Sequence, residues 1–222
     1  EVHACGPWSQ GPVLPMALNI LKGYDLLAMG HNSPEYLHVV TEALKLAFAD
    51  RHRHFGDPAF VKVPIKGLLS DAYAAHRRGL IRPDRAWPEM PPAGDPATLA
   101  ELPHRWMPPP QSAEAPGPGD TTYVCCVDRH GNSFSATPSD GSNNSPLVPG
   151  IGILCSGRGT QSWSDPTHPS SVAPGKRPRL TPSPALAFKN GKVLMPFGTP
   201  GGDVQPQSML QVFLNVNVFG MD

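Results

Sequence analysis

Few residues in this chain have the types and spacing that chemistry requires, and they lie far apart. Thr121 sits in Gly119-Asp120-Thr121-Thr122-Tyr123, where a proline-rich passage gives way to a hairpin pattern. A hydroxyl residue at such a junction can be an ordinary strand start. It can also be a nucleophile that becomes an N-terminus when the Asp120–Thr121 bond is cut. Its own α-amine, titrating at about 7.7 to 8.0, would then be a competent base at neutral pH without a histidine. Gly201 and Gly202 stand between a strand pattern and a helix pattern. N–H groups at a helix start are unpaired, glycine admits a close approach, and the helix dipole favours an anion. The pair can therefore build an oxyanion hole, although tight turns use the same pair.

Other polar residues are open to two readings. Arg158, in Ser156-Gly157-Arg158-Gly159-Thr160, can be a paired fork for a substrate carboxylate or a solvated loop arginine. Gly175-Lys176-Arg177-Pro178-Arg179 can bind a carboxylate or brace its loop, and is too short and too poor in aromatics for a nucleic-acid surface. His52 and His54 are two apart on a helix and do not share a face, which argues against a metal site. With Arg51 and Arg53 they read as cations answering the negative helix end. No Gly-x-Ser-x-Gly elbow, His-Glu-x-x-His, Walker A or dinucleotide fingerprint is present. The four cysteines lack Cys-x-x-Cys spacing. Cys125 and Cys126, neighbours in a strand pattern, point to opposite faces and read as small buried hydrophobes.

Composition sets the frame for these residues. The 222 residues fit one domain, or a domain with a subdomain, and 39% apolar content suffices for a core. Lys plus Arg equals Asp plus Glu, so no net field draws nucleic acid or an anionic membrane. No apolar run is long enough to cross a bilayer. The chain begins without Met and stops just after an apolar helix pattern, as expected of a piece trimmed at both ends.

The elements that must position the site follow from periodicity. Pro12 to Leu21 reads as a helix stopped near Gly23. Ser33-Pro34-Glu35 caps a stronger helix over 34–53, with Leu37, Val40, Leu44 and Phe48 on one side. Ser70 to Gly79 is a short capped helix. From Pro83 to Pro118 the proline density predicts a linker without helix or ladder. Beyond Thr121 the pattern turns to strands. They are 122–128 and 132–137 around Arg129-His130-Gly131, then 151–155, then 185–188 and 193–197 joined at Asn190-Gly191. A helix from about 204 to 219 follows.

Several of these motifs occur together and in order. They are Phe48-Ala49-Asp50-Arg51 with Gly56-Asp57-Pro58, Gly119 to Tyr123 with Val127-Asp128-x-x-Gly131-Asn132, Pro174 to Pro178, and Gly198-Thr199-Pro200-Gly201-Gly202. In this the chain resembles the gamma-glutamyltranspeptidase family of N-terminal-nucleophile hydrolases. The resemblance implies an α+β fold, a four-layer αββα sandwich of two stacked, mainly antiparallel sheets flanked by helices. It implies one precursor, self-cleaved between Asp120 and Thr121 into large and small subunits. Residues 1–120 would then be the C-terminal part of the large-subunit region, ending in the linker 82–119. Residues 121–222 would be the N-terminal part of the small-subunit region.

The resemblance also implies roles for single residues. Thr121 is the nucleophile, Gly201 and Gly202 hold the oxyanion, and Ser139 and Thr181 bind a small-molecule amide or peptide substrate; the family's arginine for the substrate carboxylate would lie before residue 1, and Arg158 joins the substrate-binding set from its own loop chemistry. No metal or organic cofactor, nucleic acid or membrane span is implied, and the location is periplasmic or secreted. Where the family's transpeptidases carry Thr-x-Asn, this chain has Ser139-Asp140-Gly141. Where they carry a Gln/Asp pair, it has Arg158-Gly159-Thr160-Gln161. The expected activity is γ-glutamyl transfer or glutathione hydrolysis. The alternatives are a cephalosporin-type acylase, a small-amide hydrolase, or a noncatalytic relative. Catalysis further requires the start of the first strand to lie beside the Gly201-Gly202 loop, with Ser139 and Thr181 nearby.

Overall fold

The structure is a computed structural model and describes residues 1–103, 121–140 and 145–221. Asp120, Gly141 and the linker from 104 onward lie outside the described residues. The elements run β1 (Val2–Ala4), α1 (Val13–Leu21), α2 (Leu26–Met29), α3 (Pro34–His54), α4 (Ile65–Leu68), α5 (Asp71–Arg78), β2 (Gly94–Asp95) and β3 (Ala100–Glu101). After Thr121 come β4 (Val124–Val127), β5 (Ser133–Ala136), β6 (Leu147–Val148), β7 (Ile153–Leu154), a 3-10 turn (Gly157–Gln161), β8 (Ala185–Lys189), β9 (Lys192–Phe197) and α6 (Val204–Asn217).

The core is helical on one side. α1 buries Val13, Leu14, Ala17 and Ile20 and touches α3, α5, α6 and β1. α3 begins as its residues dictate, with Ser33 Oγ accepting from Tyr36 N at 3.1 Å and proline in the first turn. Val40, Leu44 and Phe48 are buried as expected, with Tyr36, Val39, Ala43, Leu46 and Ala47 beside them, while Leu37 of the expected stripe is exposed. The buried face is wider than one stripe because α3 is covered from more than one direction, and polar Glu42, Asp50 and Arg51 are buried as well.

The main sheet has the order β1-β8-β9, antiparallel throughout. Asn190 and Gly191, at φ 53° and 73°, make the tight β8–β9 turn that Asn-Gly predicts. In β8 the small residues Ala185 and Ala187 are the buried positions. Pro196 is admitted because β9 is an edge strand. The β4–β5 hairpin lies against β9, where Ser135 Oγ donates to Phe197 O at 3.4 Å. Every named strand pair is antiparallel. This is the α+β class, with helices on antiparallel sheets, of the four-layer αββα sandwich.

Three expectations change. The proline-rich passage holds a short ladder, Gly94–Asp95 with Ala100–Glu101, because its prolines flank the paired residues instead of occupying them. The strand expected over 151–155 shrinks to Ile153–Leu154 paired with Leu147–Val148, since Gly150 and Gly152 adopt positive φ. Cys125 and Cys126 are exposed, because β4 is exposed along its length.

Candidate active site

The hairpin turn determines what faces Thr121. Asp128 Oδ1 accepts from His130 N at 2.8 Å and Asn132 N at 2.9 Å, and Gly131 sits at φ 85°. The ladder from this turn pairs Val127 with Ser133 and Val124 with Ala136. It continues past both strands, with Thr122 N donating to Pro138 O at 3.2 Å. The next pair is therefore Thr121 and Ser139, whose hydroxyl oxygens are 2.5 Å apart.

Arg158 reaches this pair from the 3-10 turn. Ser156 caps the turn, accepting from Arg158 N at 3.2 Å and donating to Asp140 Oδ1 at 2.7 Å. Arg158 donates Nε to Ser139 O at 3.0 Å, Nη2 to Ser139 Oγ, and Nη1 to Thr181 Oγ1 at 3.5 Å. Gln161 Nε2 donates to the same Thr181 hydroxyl at 3.2 Å. Thr121, Ser139, Arg158 and Thr181 thus form one half-buried hydrogen-bonded group.

The glycine turn approaches from the other side. Gly201 and Gly202 have φ 115° and 55°, values side chains rarely adopt, and Val204 N donates to Gly201 O at 2.9 Å as α6 begins. A Cβ on Gly198 would come within 2.5 Å of the Tyr123 ring, so this glycine is what lets β4 and the end of β9 touch. Tyr123, two residues after Thr121, is pinned by its hydroxyl at 2.9 Å from Ser135 Oγ. The start of the hairpin and the loop before α6 are thus in contact at Tyr123 and Gly198.

Of the residues that join the halves of the site, Gln10 and Asp203 were not singled out by sequence reasoning, and Arg51 was read in another role. Gln10 is buried, and its Nε2 donates to Thr181 O and to Gly202 O, each at 2.7 Å. Its Oε1 accepts from Arg51 Nη1 at 2.7 Å. Arg51 also forks onto Asp203, at 2.7 and 2.8 Å, and lies over the Phe48 ring. Arg51 is therefore not a cation answering the end of α3; its guanidinium turns inward to the glycine turn. Burial disfavours the charged form of His52 and His54, against the helix-end reading. Burial, then the Arg51 charge, lowers His52 to about 3, and burial also lowers His54. Burial works against the Asp203 carboxylate, yet the Arg51 fork and charge hold it at about 2. Burial, then Arg51, lowers Arg179 to about 9.

The basic knot resolves as a brace. Arg177 donates Nη2, Nε and its backbone N to Asp57, at 2.8, 3.2 and 3.0 Å. A cavity of about 710 Å³ lies elsewhere, between β1, α1, α2 and the end of α6; none of the candidate residues lines it.

A family model described as gamma-glutamyltranspeptidase matches residues 1–222. An acylase ACY 1 proenzyme of a Pseudomonas species is 35% identical over 95% of this chain and 34% of its own length. A glutathione hydrolase proenzyme of Bacillus subtilis is 33% identical over 97% of this chain and 37% of its own. The crystal structure of a cephalosporin acylase from Bacillus halodurans superposes with a TM-score of 0.79 at 32% identity, over all of this chain and 36% of that one. The chain thus spans a little over a third of the length of the relatives it matches.

Proposed function

The chain belongs to the gamma-glutamyltranspeptidase family, and from that premise we propose that it carries the nucleophile half of an amide hydrolase or acyltransferase, with Thr121 as the attacking residue. The observation that carries the reading is the contiguity of residues the sequence keeps apart. Thr121 touches Ser139, Ser139 and Thr181 share Arg158, and Thr181 and Gly202 share Gln10.

The reaction begins with maturation. Thr121 Oγ1 attacks the Asp120 carbonyl carbon and its proton passes to the amide nitrogen; the Asp120–Thr121 C–N bond breaks and frees the Thr121 amine, and water then hydrolyses the resulting ester to release the Asp120 carboxylate and restore the Thr121 hydroxyl. The proenzyme names of the relatives support such a cut. In turnover the α-amine takes the Thr121 hydroxyl proton as Oγ1 attacks the substrate amide carbon. The Gly201 and Gly202 N–H groups stabilise the oxygen that becomes negative. The amine leaves with the proton, and water or an amine acceptor then releases the acyl group.

Arg158 spends three of its five N–H donors on Ser139 and Thr181, leaving two for a substrate carboxylate. An acyl group ending in a carboxylate, of the γ-glutamyl kind, fits that remainder. The cephalosporin-acylase reading draws on the likeness to acylases. Turnover of γ-glutamyl against cephalosporin side-chain amides separates the two.

The test is Thr121→Ala in the complete precursor. Mass spectrometry is expected to find one uncut chain and no amide turnover above background, while the wild type yields two chains. Cleavage at the same bond in the variant would remove Thr121 from the mechanism.

A further inference from the structure

We propose that Gln10 is a positioning residue for amide cleavage, holding the Gly201-Gly202 turn so that its N–H groups are ready for the substrate oxygen. The inference rests on the reading of Thr121 and the glycine pair given above. Gln10 is fully buried, and its amide is fully used. Both Nε2 hydrogens go to carbonyls, of Thr181 and Gly202, and Oε1 takes a hydrogen from Arg51. The amide cannot be turned over. Exchanging its oxygen and nitrogen would set an oxygen against two carbonyls and an NH2 against a guanidinium.

The backbone explains how Gln10 arrives there. Leu180 N donates to Trp8 O at 2.9 Å, and Gln10 N donates to Leu180 O at 3.0 Å. Residues 8–10 therefore run beside Leu180, and the Gln10 side chain emerges next to Thr181. The Gly202–Asp203 peptide is then held twice, by Gln10 at its carbonyl and by the Arg51 fork on the Asp203 side chain. This matters because a Gly-Gly pair is the most permissive dipeptide available. An oxyanion hole accelerates acyl transfer only if its donors are aligned before charge develops. Gln10 and Arg51 supply that alignment from a region distant in sequence.

The role predicts a particular kinetic signature. The Thr181 hydroxyl keeps its own donors, Gln161 and Arg158, so substrate binding survives loss of Gln10. The loss falls on the transition state. Gln10→Glu keeps the acceptor for Arg51 and removes both N–H donors; Gln10→Met keeps the volume and removes all three bonds. In the complete, matured enzyme, rates are measured on whichever γ-glutamyl or cephalosporin-type amide the wild type turns over. They are normalised to the amount of chain cleaved before Thr121, measured by mass spectrometry. We expect kcat to fall at least about 10-fold with KM changed less than about 3-fold, since a dislocated donor costs transition-state binding selectively. Either variant decides alone. Unchanged kcat per cleaved chain would overturn the positioning role. So would a rise in KM matching the whole loss in kcat/KM. Failure of the underlying reading would show differently, as turnover or chain cleavage persisting in Thr121→Ala.

Discussion

Ser139 is the residue through which the candidate site is tied together, since its hydroxyl meets Thr121 and both its oxygens take Arg158. A lysine at 158 has one flexible ammonium and cannot serve Ser139, Thr181 and a carboxylate at once. Arg158→Lys is therefore expected to raise KM for carboxylate-bearing amides by roughly 10-fold or more, about the worth of one lost charge-assisted bond. Steady-state kinetics on a carboxylate substrate check this, and an unchanged KM would place the carboxylate elsewhere. Thr121, Arg158 and the glycine pair stood out in the sequence as a hydroxyl, an arginine and glycines beside turns, whereas Ser139 and Thr181 entered only through the family resemblance. Gln10 and Asp203 were not, since a glutamine before α1 and an aspartate after two glycines look like ordinary turn residues. Arg51 was misread because helical spacing says which residues share a face, but not how far a long side chain reaches from it.

At the scale of elements, the site depends on one close approach, Gly198 against Tyr123. Gly198→Ala puts a methyl within 2.5 Å of the ring, so the hairpin must move. A shift near 1 Å at a reacting atom costs on the order of 100-fold in rate. The expected result is a loss of activity of that size, with a melting temperature lowered by a few degrees. Assay and thermal denaturation of the same preparation check both; full activity would mean the hairpin has room the contact does not suggest. The long elements could be read from the sequence for definite reasons. α3 had a cap, a proline and sustained period, and β8–β9 had Asn-Gly between two apolar runs. β1, β2, β3 and β6 could not, since two or three residues carry no period, and only tertiary pairing makes them strands.

Across the whole molecule, the Asp57–Arg177 fork joins a turn after α3 to the loop before β8. The Arg177 side chain, then its backbone N–H, holds the Asp57 carboxyl well below its ordinary value of 3.8. A carboxyl lowered in the folded state contributes stability that is full above about 3.8 and is lost as pH falls further. Asp57→Asn is therefore expected to lower the melting temperature at pH 7 by a few degrees, and the gap to the wild type should close on acidification below pH 4. Melts over that range check it, and a gap independent of pH would show that packing, not charge, accounts for the loss. The fork has a further consequence. With Arg51–Asp203, Gln10–Gly202 and the β1–β8 pairing, it crosses from residues before Thr121 to residues after it. Hydrolysis of the bond before Thr121 would thus sever the covalent thread and leave the cohesion of the body untouched. The two products would part only on denaturation, and a sizing column would see maturation as no change in mass.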